Sequence, residues 1–213
     1  KPQGVLVQLG IIGFCSMATE GAMFDWSGVY FKEIVKAPTQ LVILGYASFM
    51  VMMATGRFVG DKIIESLGRR RTIQISGLII SSGMFLSVFL PYIIPATIGF
   101  MLVGVGVSSI VPTVYSVAGK NGKVAPGIAI AMVSSVSYLG FLMGPPLIGY
   151  ISALSSLQYS YAVIGIFGLL VSLIVGSCLP VWLLWPQGRL ASINDSRHIA
   201  VIADLTRDRA GHY

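Results

Sequence analysis

Residues 93–118 read IIPATIGFMLVGVGVSSIVPTVYSVA, an unbroken run without a charged side chain. An α-helix rises 1.5 Å per residue, so about 20 residues cross the ~30 Å hydrocarbon core of a bilayer. This run is longer than that. It is apolar throughout rather than alternating, which argues for a helix and against a barrel strand of ~10 residues. A helix also bonds its own backbone groups, as a hydrocarbon solvent demands.

Five further runs flank it: Val5–Phe31, Gln40–Gly60, Thr72–Leu90, Gly127–Ser152 and Tyr159–Leu184. The expected fold is all-α: a polytopic membrane protein with six transmembrane helices over residues 1–185, followed by a polar cytoplasmic tail, 186–213. Pro38, Pro91, Pro95, Gly119, Asn121, Gly122 and Pro126 punctuate short gaps, so neighbouring helices are expected to run antiparallel.

Composition agrees. Of 213 residues, 55 % are hydrophobic and only 10 % are charged, with a mean hydropathy of +0.84. A soluble domain carries roughly a quarter charged residues, and disorder needs low hydrophobicity. Both classes are excluded. The net charge of +6 does not describe a nucleic-acid footprint, because the charges lie in gaps between apolar runs rather than among aromatics on a polar face. Cys15 and Cys178 have no metal-type spacing and read as small buried hydrophobes. His198 and His212 sit in the tail without a partner cluster and read as solvated. No cofactor motif, metal set or catalytic constellation stands out, so an enzyme is not expected.

Lys and Arg sort by side. With the N-terminus in the cytoplasm, Lys1, Arg57, Lys62, Arg69, Arg70, Arg71, Lys120, Lys123, Arg189, Arg197, Arg207 and Arg209 fall inside, and only Lys32 and Lys36 fall outside. That split follows the positive-inside rule and puts both termini in the cytoplasm.

The first run contains two acids, Glu20 and Asp25, in Glu20-Gly21-Ala22-Met23-Phe24-Asp25-Trp26. A carboxylate at a helix centre costs about 2.5–3.5 kcal/mol on the insertion scale, whereas a leucine returns only about 0.3–0.6. Such acids turn away from lipid, toward the bundle interior or a wet cavity. Five residues at about 100° each set them about 140° apart, facing different neighbours, unless the helix breaks near Gly21. Glu20 is open to two readings: a cavity acid that binds solute or carries a proton, or a structural acid paired with another helix. Asp25, beside Trp26, reads either as a cavity or gate residue or as structure. No basic residue in the apolar runs offers either acid an obvious counter-ion. Tyr46, Ser48, Ser108, Ser109, Thr113, Ser134, Ser135 and Tyr138 are further polar candidates for a cavity.

The second run ends in Gly56-Arg57-Phe58-Val59-Gly60-Asp61-Lys62, and Gly68-Arg69-Arg70-Arg71 follows. Arg57 and Asp61 are four apart and are expected to pair on one helix face. Gly56 and Gly60 form a small-xxx-small face for close packing, and the arginines are expected in a short loop. In the fifth run, Gly140 and Gly144 make a second such face. Pro145 and Pro146 remove two backbone donors and are expected to kink the helix, either as a rocking point or as a static bend.

Gly56, Asp61, Lys62, Gly68, Arg69 and Arg70 resemble the signature loop of the major facilitator superfamily, in an expanded form with extra residues before Gly68. Gly99-Phe100, Gly104, Gly106, Ile110-Val111-Pro112 and Tyr138–Gly149 extend the resemblance, over about residues 5–180, to bacterial inner-membrane members related to fucose permease. Position 148 is Ile, so the family's antiporter motif is not completed. The resemblance implies the C-terminal six-helix half of a secondary transporter. A start at Lys1 rather than Met is then expected of a chain missing its N-terminal six-helix half. The implied partners are the lipid bilayer, a small sugar-like or otherwise polar solute, and protons if Glu20 or Asp25 couples transport. Asp61 is implied to meet a helix N-terminus of the opposite half. The alternatives are drug or metabolite efflux by the same fold, and a non-transporting sensor or structural protein.

Overall fold

The computed structural model describes residues 2–120 and 124–177. Six long helices account for nearly all of them: α1 (Pro2–Glu33), α2 (Ile43–Leu67), α3 (Arg69–Phe89), α4 (Ile93–Gly119), α5 (Pro126–Leu154) and α6 (Leu157–Ser177), with a 3₁₀ turn at Thr39–Leu41. Each is long and apolar enough to cross a membrane. The expected end of the sixth run and the tail at 186–213 lie outside the described residues.

Two expectations are corrected. The second helix does not end at Gly60; it continues to Leu67. The arginine cluster does not form a loop either, because Arg69 already begins α3. A single residue turns the chain. Gly68 has φ +78°, a left-handed value that only glycine adopts without strain, and its amide closes α2 by donating to the Ile64 carbonyl at 2.9 Å. A helix stops where its backbone geometry changes, not where the apolar run ends. Asp61, Lys62 and Glu65 are therefore helical and exposed.

The helices pack through small residues. A Cβ on Gly168 of α6 would stand 2.8 Å from the Gly77 carbonyl oxygen of α3, and one on Gly77 would stand 2.7 Å from the Gly168 carbonyl oxygen. On α5, Gly140 lies against the Phe14 carbonyl of α1, and Gly144 against the Ala18 carbonyl one turn on. On α4, Gly104 lies against the Phe49 carbonyl of α2. Without a hydrophobic drive between helices in lipid, such backbone approach supplies the dispersion contact that holds them. An aromatic core ties four helices together near the Glu33 end of α1. Tyr30 and Tyr161 have ring centroids 4.4 Å apart, Phe100 lies 5.7 Å from Tyr161, and the Tyr30 hydroxyl donates to the Ser87 carbonyl at 2.8 Å.

Helices α2 and α5 each bury only a narrow stripe, Gly45–Ser48–Phe49–Met53–Gly56–Gly60 on one and Ala129–Val133–Ser137–Gly140–Gly144–Ile148 on the other. Their remaining surfaces are open and mostly apolar, with Phe58 87 % exposed.

Candidate solute site

Glu20 and Arg57 meet near the middle of α1 and α2. The Arg57 Nη2 donates to Glu20 Oε1 at 3.1 Å and also lies 3.7 Å from the Met53 sulfur. This is the one ion pair among the described residues. It overturns two expectations: Glu20 has a counter-ion within the apolar runs, and Arg57 pairs with Glu20 rather than with Asp61. The reason is where the guanidinium stands. Ten residues of helix follow Arg57 before Gly68, about 15 Å of rise, so Arg57 belongs to the span and leaves the set of loop cations. A charge at that depth needs an opposite charge on a facing helix. The pair is lopsided: the Glu20 side chain is 10 % exposed and that of Arg57 is 53 %. Only the Nη2 of that guanidinium has a hydrogen-bond partner among the described residues.

Helix α1 is unbroken through Gly21. Gly21 is needed there because a Cβ would stand 2.5 Å from the Phe141 carbonyl oxygen of α5. Asp25, five residues beyond Glu20, faces α5 rather than α2. It is exposed and borders an open groove of ≈ 470 Å³ together with Trp26, Val29, Pro145, Pro146 and Tyr150. The Trp26 indole N–H donates to the Pro145 carbonyl at 3.1 Å and pins the ring across the two helices. Helix α5 runs through Pro145 and Pro146 without a break.

Tyr138 is not brought to this groove. It is exposed and stacks on Phe141, with centroids 5.9 Å apart and planes 19° apart. Phe141 in turn meets Phe24 at 5.9 Å, and Phe24 meets Tyr46 at 6.2 Å and Phe49 at 5.9 Å. A band of rings thus crosses from α5 over α1 to α2, between the level of the ion pair and that of Asp25. Sequence reasoning did not single out Phe24 and Phe141. The available signal was that Phe24 lies one helical turn from Glu20.

The polar candidates mostly bond their own helices. Ser108 donates to Val105, Thr113 to Ser109, Ser134 and Ser135 to Ala131, and Ser48 to Gly45. The signature residues spread along α2 and into α3. Gly56 packs on Ser108, a Cβ on Gly60 would stand 3.3 Å from the Ser109 oxygen, and Asp61 and Lys62 are exposed. Arg69 is partly exposed beside them. Arg70 donates to the Gly176 carbonyl at 3.2 Å, a cation placed at the C-terminal end of α6, where the helix dipole favours it.

Six membrane-length helices with an ion pair held between two of them define an integral membrane protein. The chain belongs to the Major Facilitator Superfamily, whose family model matches residues 9–197. It is 37 % identical over 147 residues to membrane protein MosC of Rhizobium meliloti, covering 69 % of this chain and 36 % of MosC. It is 33 % identical over 171 residues to an uncharacterized MFS-type transporter of Yersinia pestis, covering 80 % of this chain and 44 % of that one. A solved structure of peptide transporter POT, a mutant in complex with alafosfalin, matches its fold at TM-score 0.75 and 15 % identity, over 96 % of this chain and 45 % of that chain. The chain thus spans less than half the length of these relatives.

Proposed function

We propose that this chain is the C-terminal six-helix half of a secondary transporter that moves a small polar solute, sugar-like or another metabolite, by alternating access coupled to protons. The observation that carries this reading is the Glu20–Arg57 pair in mid-span, with its arginine half open. Packing alone rarely needs an ion pair, since replacing one by well-packed apolar side chains is often neutral, and charge inside a span marks a place where charge is used. When a proton neutralises Glu20, the Coulomb attraction holding Arg57 is lost, and its donors are released to a solute on the open face. Asp25 and Trp26, in the groove toward α5, and Tyr138, at the end of the ring band, supply further contacts. The motif residues Gly56, Gly60, Asp61, Lys62, Gly68, Arg69 and Arg70 act at the inner end of α2 and α3, against the N-terminal half. The subgroup related to fucose permease fits the expanded spacing between Asp61 and Gly68. The positive-inside count supports both termini of this half lying in the cytoplasm, and the resemblance to that subgroup supports a bacterial inner membrane.

The test is solute uptake by the whole transporter in right-side-out vesicles, with Glu20→Gln alongside. Uptake that is lost in the variant supports the reading. A variant that takes up solute at the unaltered rate, or a transporter that moves nothing in a broad solute screen, contradicts it.

A further inference from the structure

We infer that the solute carries an ammonium group, bound in the groove between α1 and α5 by the Asp25 carboxylate over the Trp26 and Tyr150 rings. The inference rests on the reading above, that Asp25 and Trp26 belong to a solute site, and it adds the chemical class.

Three observations carry it. The first is charge balance. Within the middle of the span, Glu20 and Arg57 cancel, and Asp25 makes no ion pair with any described residue. The Asp25 carboxyl group is left exposed to the groove with no counter-charge beside it, so a cation placed there meets no competitor.

The second is the donor inventory. Pro145 and Pro146 have no amide hydrogen, and the indole hydrogen of Trp26 is already given to the Pro145 carbonyl at 3.1 Å. What the wall still offers is the acceptor oxygens of Asp25 and the two-way hydroxyl of Tyr150. A wall that offers acceptors and rings but few donors suits a ligand that brings positive charge. It does not suit a carboxylate or phosphate.

The third is shape. The indole is held in place at its nitrogen edge, and its six-membered ring lies over Gly149, where a Cβ would stand 3.1 Å from Cζ2. The same lining sets the Trp26 indole and the Tyr150 phenol beside Asp25, and aromatic rings attract a cation, tryptophan most strongly. The groove's ≈ 470 Å³ is of the size that holds a small metabolite.

The test is equilibrium binding to the whole transporter in nanodiscs made only of phosphatidylglycerol, so that no lipid amine is present. The probes are choline, its uncharged isostere 3,3-dimethyl-1-butanol, and fucose. Choline is expected to bind about tenfold or more tightly than the isostere, and Asp25→Asn to remove that preference. If adding phosphatidylethanolamine displaces choline, a lipid head group is a source of the ammonium; if choline stays bound, the source is a free solute.

Equal binding of choline and the isostere, or tighter binding of fucose with loss in Asp25→Asn, overturns the ammonium class while leaving Asp25 in a solute site. Binding that Asp25→Asn does not change overturns the placement of the site as well. No binding of choline overturns the inference outright.

Discussion

The Arg57 guanidinium of α2 donates to the Glu20 carboxylate of α1 at 3.1 Å, with the acid nearly buried and the base half open. Removing either partner leaves the other charge uncompensated in the span. Arg57→Gln is expected to destabilise the protein by about 2 kcal/mol, less than for a fully buried pair because water reaches the arginine side. Glu20→Gln with Arg57→Gln is expected to cost less than the two single changes added together, by about 1 kcal/mol or more. Unfolding in detergent micelles measures the cycle, and strict additivity would show that the two groups are not coupled.

Gly140 and Gly144 lie directly on backbone carbonyls of α1, so neither position has room for a side chain. Gly140→Leu is expected to push α5 off α1 and cost about 3 kcal/mol. Gly127, at the start of the same helix, has nothing within 4 Å of where a Cβ would stand, and Gly127→Leu is expected to stay within about 0.5 kcal/mol. Comparing thermal unfolding of the two variants checks this.

Gly68 carries φ +78° at the single-residue turn between α2 and α3. Gly68→Ala and Gly68→Asn are each expected to cost about 1–3 kcal/mol, because φ +78° with ψ 151° lies outside the left-handed helical well that asparagine tolerates, in a region that glycine alone enters readily. If Ala and Asn prove equally harmless in an unfolding assay, the turn is not built on that conformation.

The Trp26 indole bridges α1 to the Pro145 carbonyl. Trp26→Phe keeps a ring but loses the donor, so stability is expected to fall by about 1 kcal/mol. Chemical denaturation reads that difference, and an unchanged midpoint would mean that the bridge contributes nothing.

How far the sequence reveals this molecule differs from element to element. The run at residues 93–118 declares a membrane helix because lipid admits few alternatives to one, and the same holds for the other runs. The end of α2 is hidden. Asp61, Lys62 and Glu65 look like a loop by polarity, yet the helix outlasts its apolar part and stops at Gly68. The partner of Glu20 is hidden for a different reason. Spacing along one helix suggests Asp61 for Arg57, whereas the contact that forms is set by how α1 and α2 face each other, which no single run encodes. Arg57 inside a run ending at Gly60 was the legible clue, since a mid-span cation requires an acid. The aromatic band of Phe24, Phe141 and Tyr138 likewise depends on the seating of α5 on α1.

The proposed mechanism turns on Glu20 carrying the proton that accompanies the solute. Its most direct test is the pH change in weakly buffered proteoliposomes of the whole transporter when a transported solute is added. The expected result is a solute-dependent proton movement that disappears in Glu20→Gln. Proton movement in that variant equal to the unaltered protein, in step with solute entry, would contradict it.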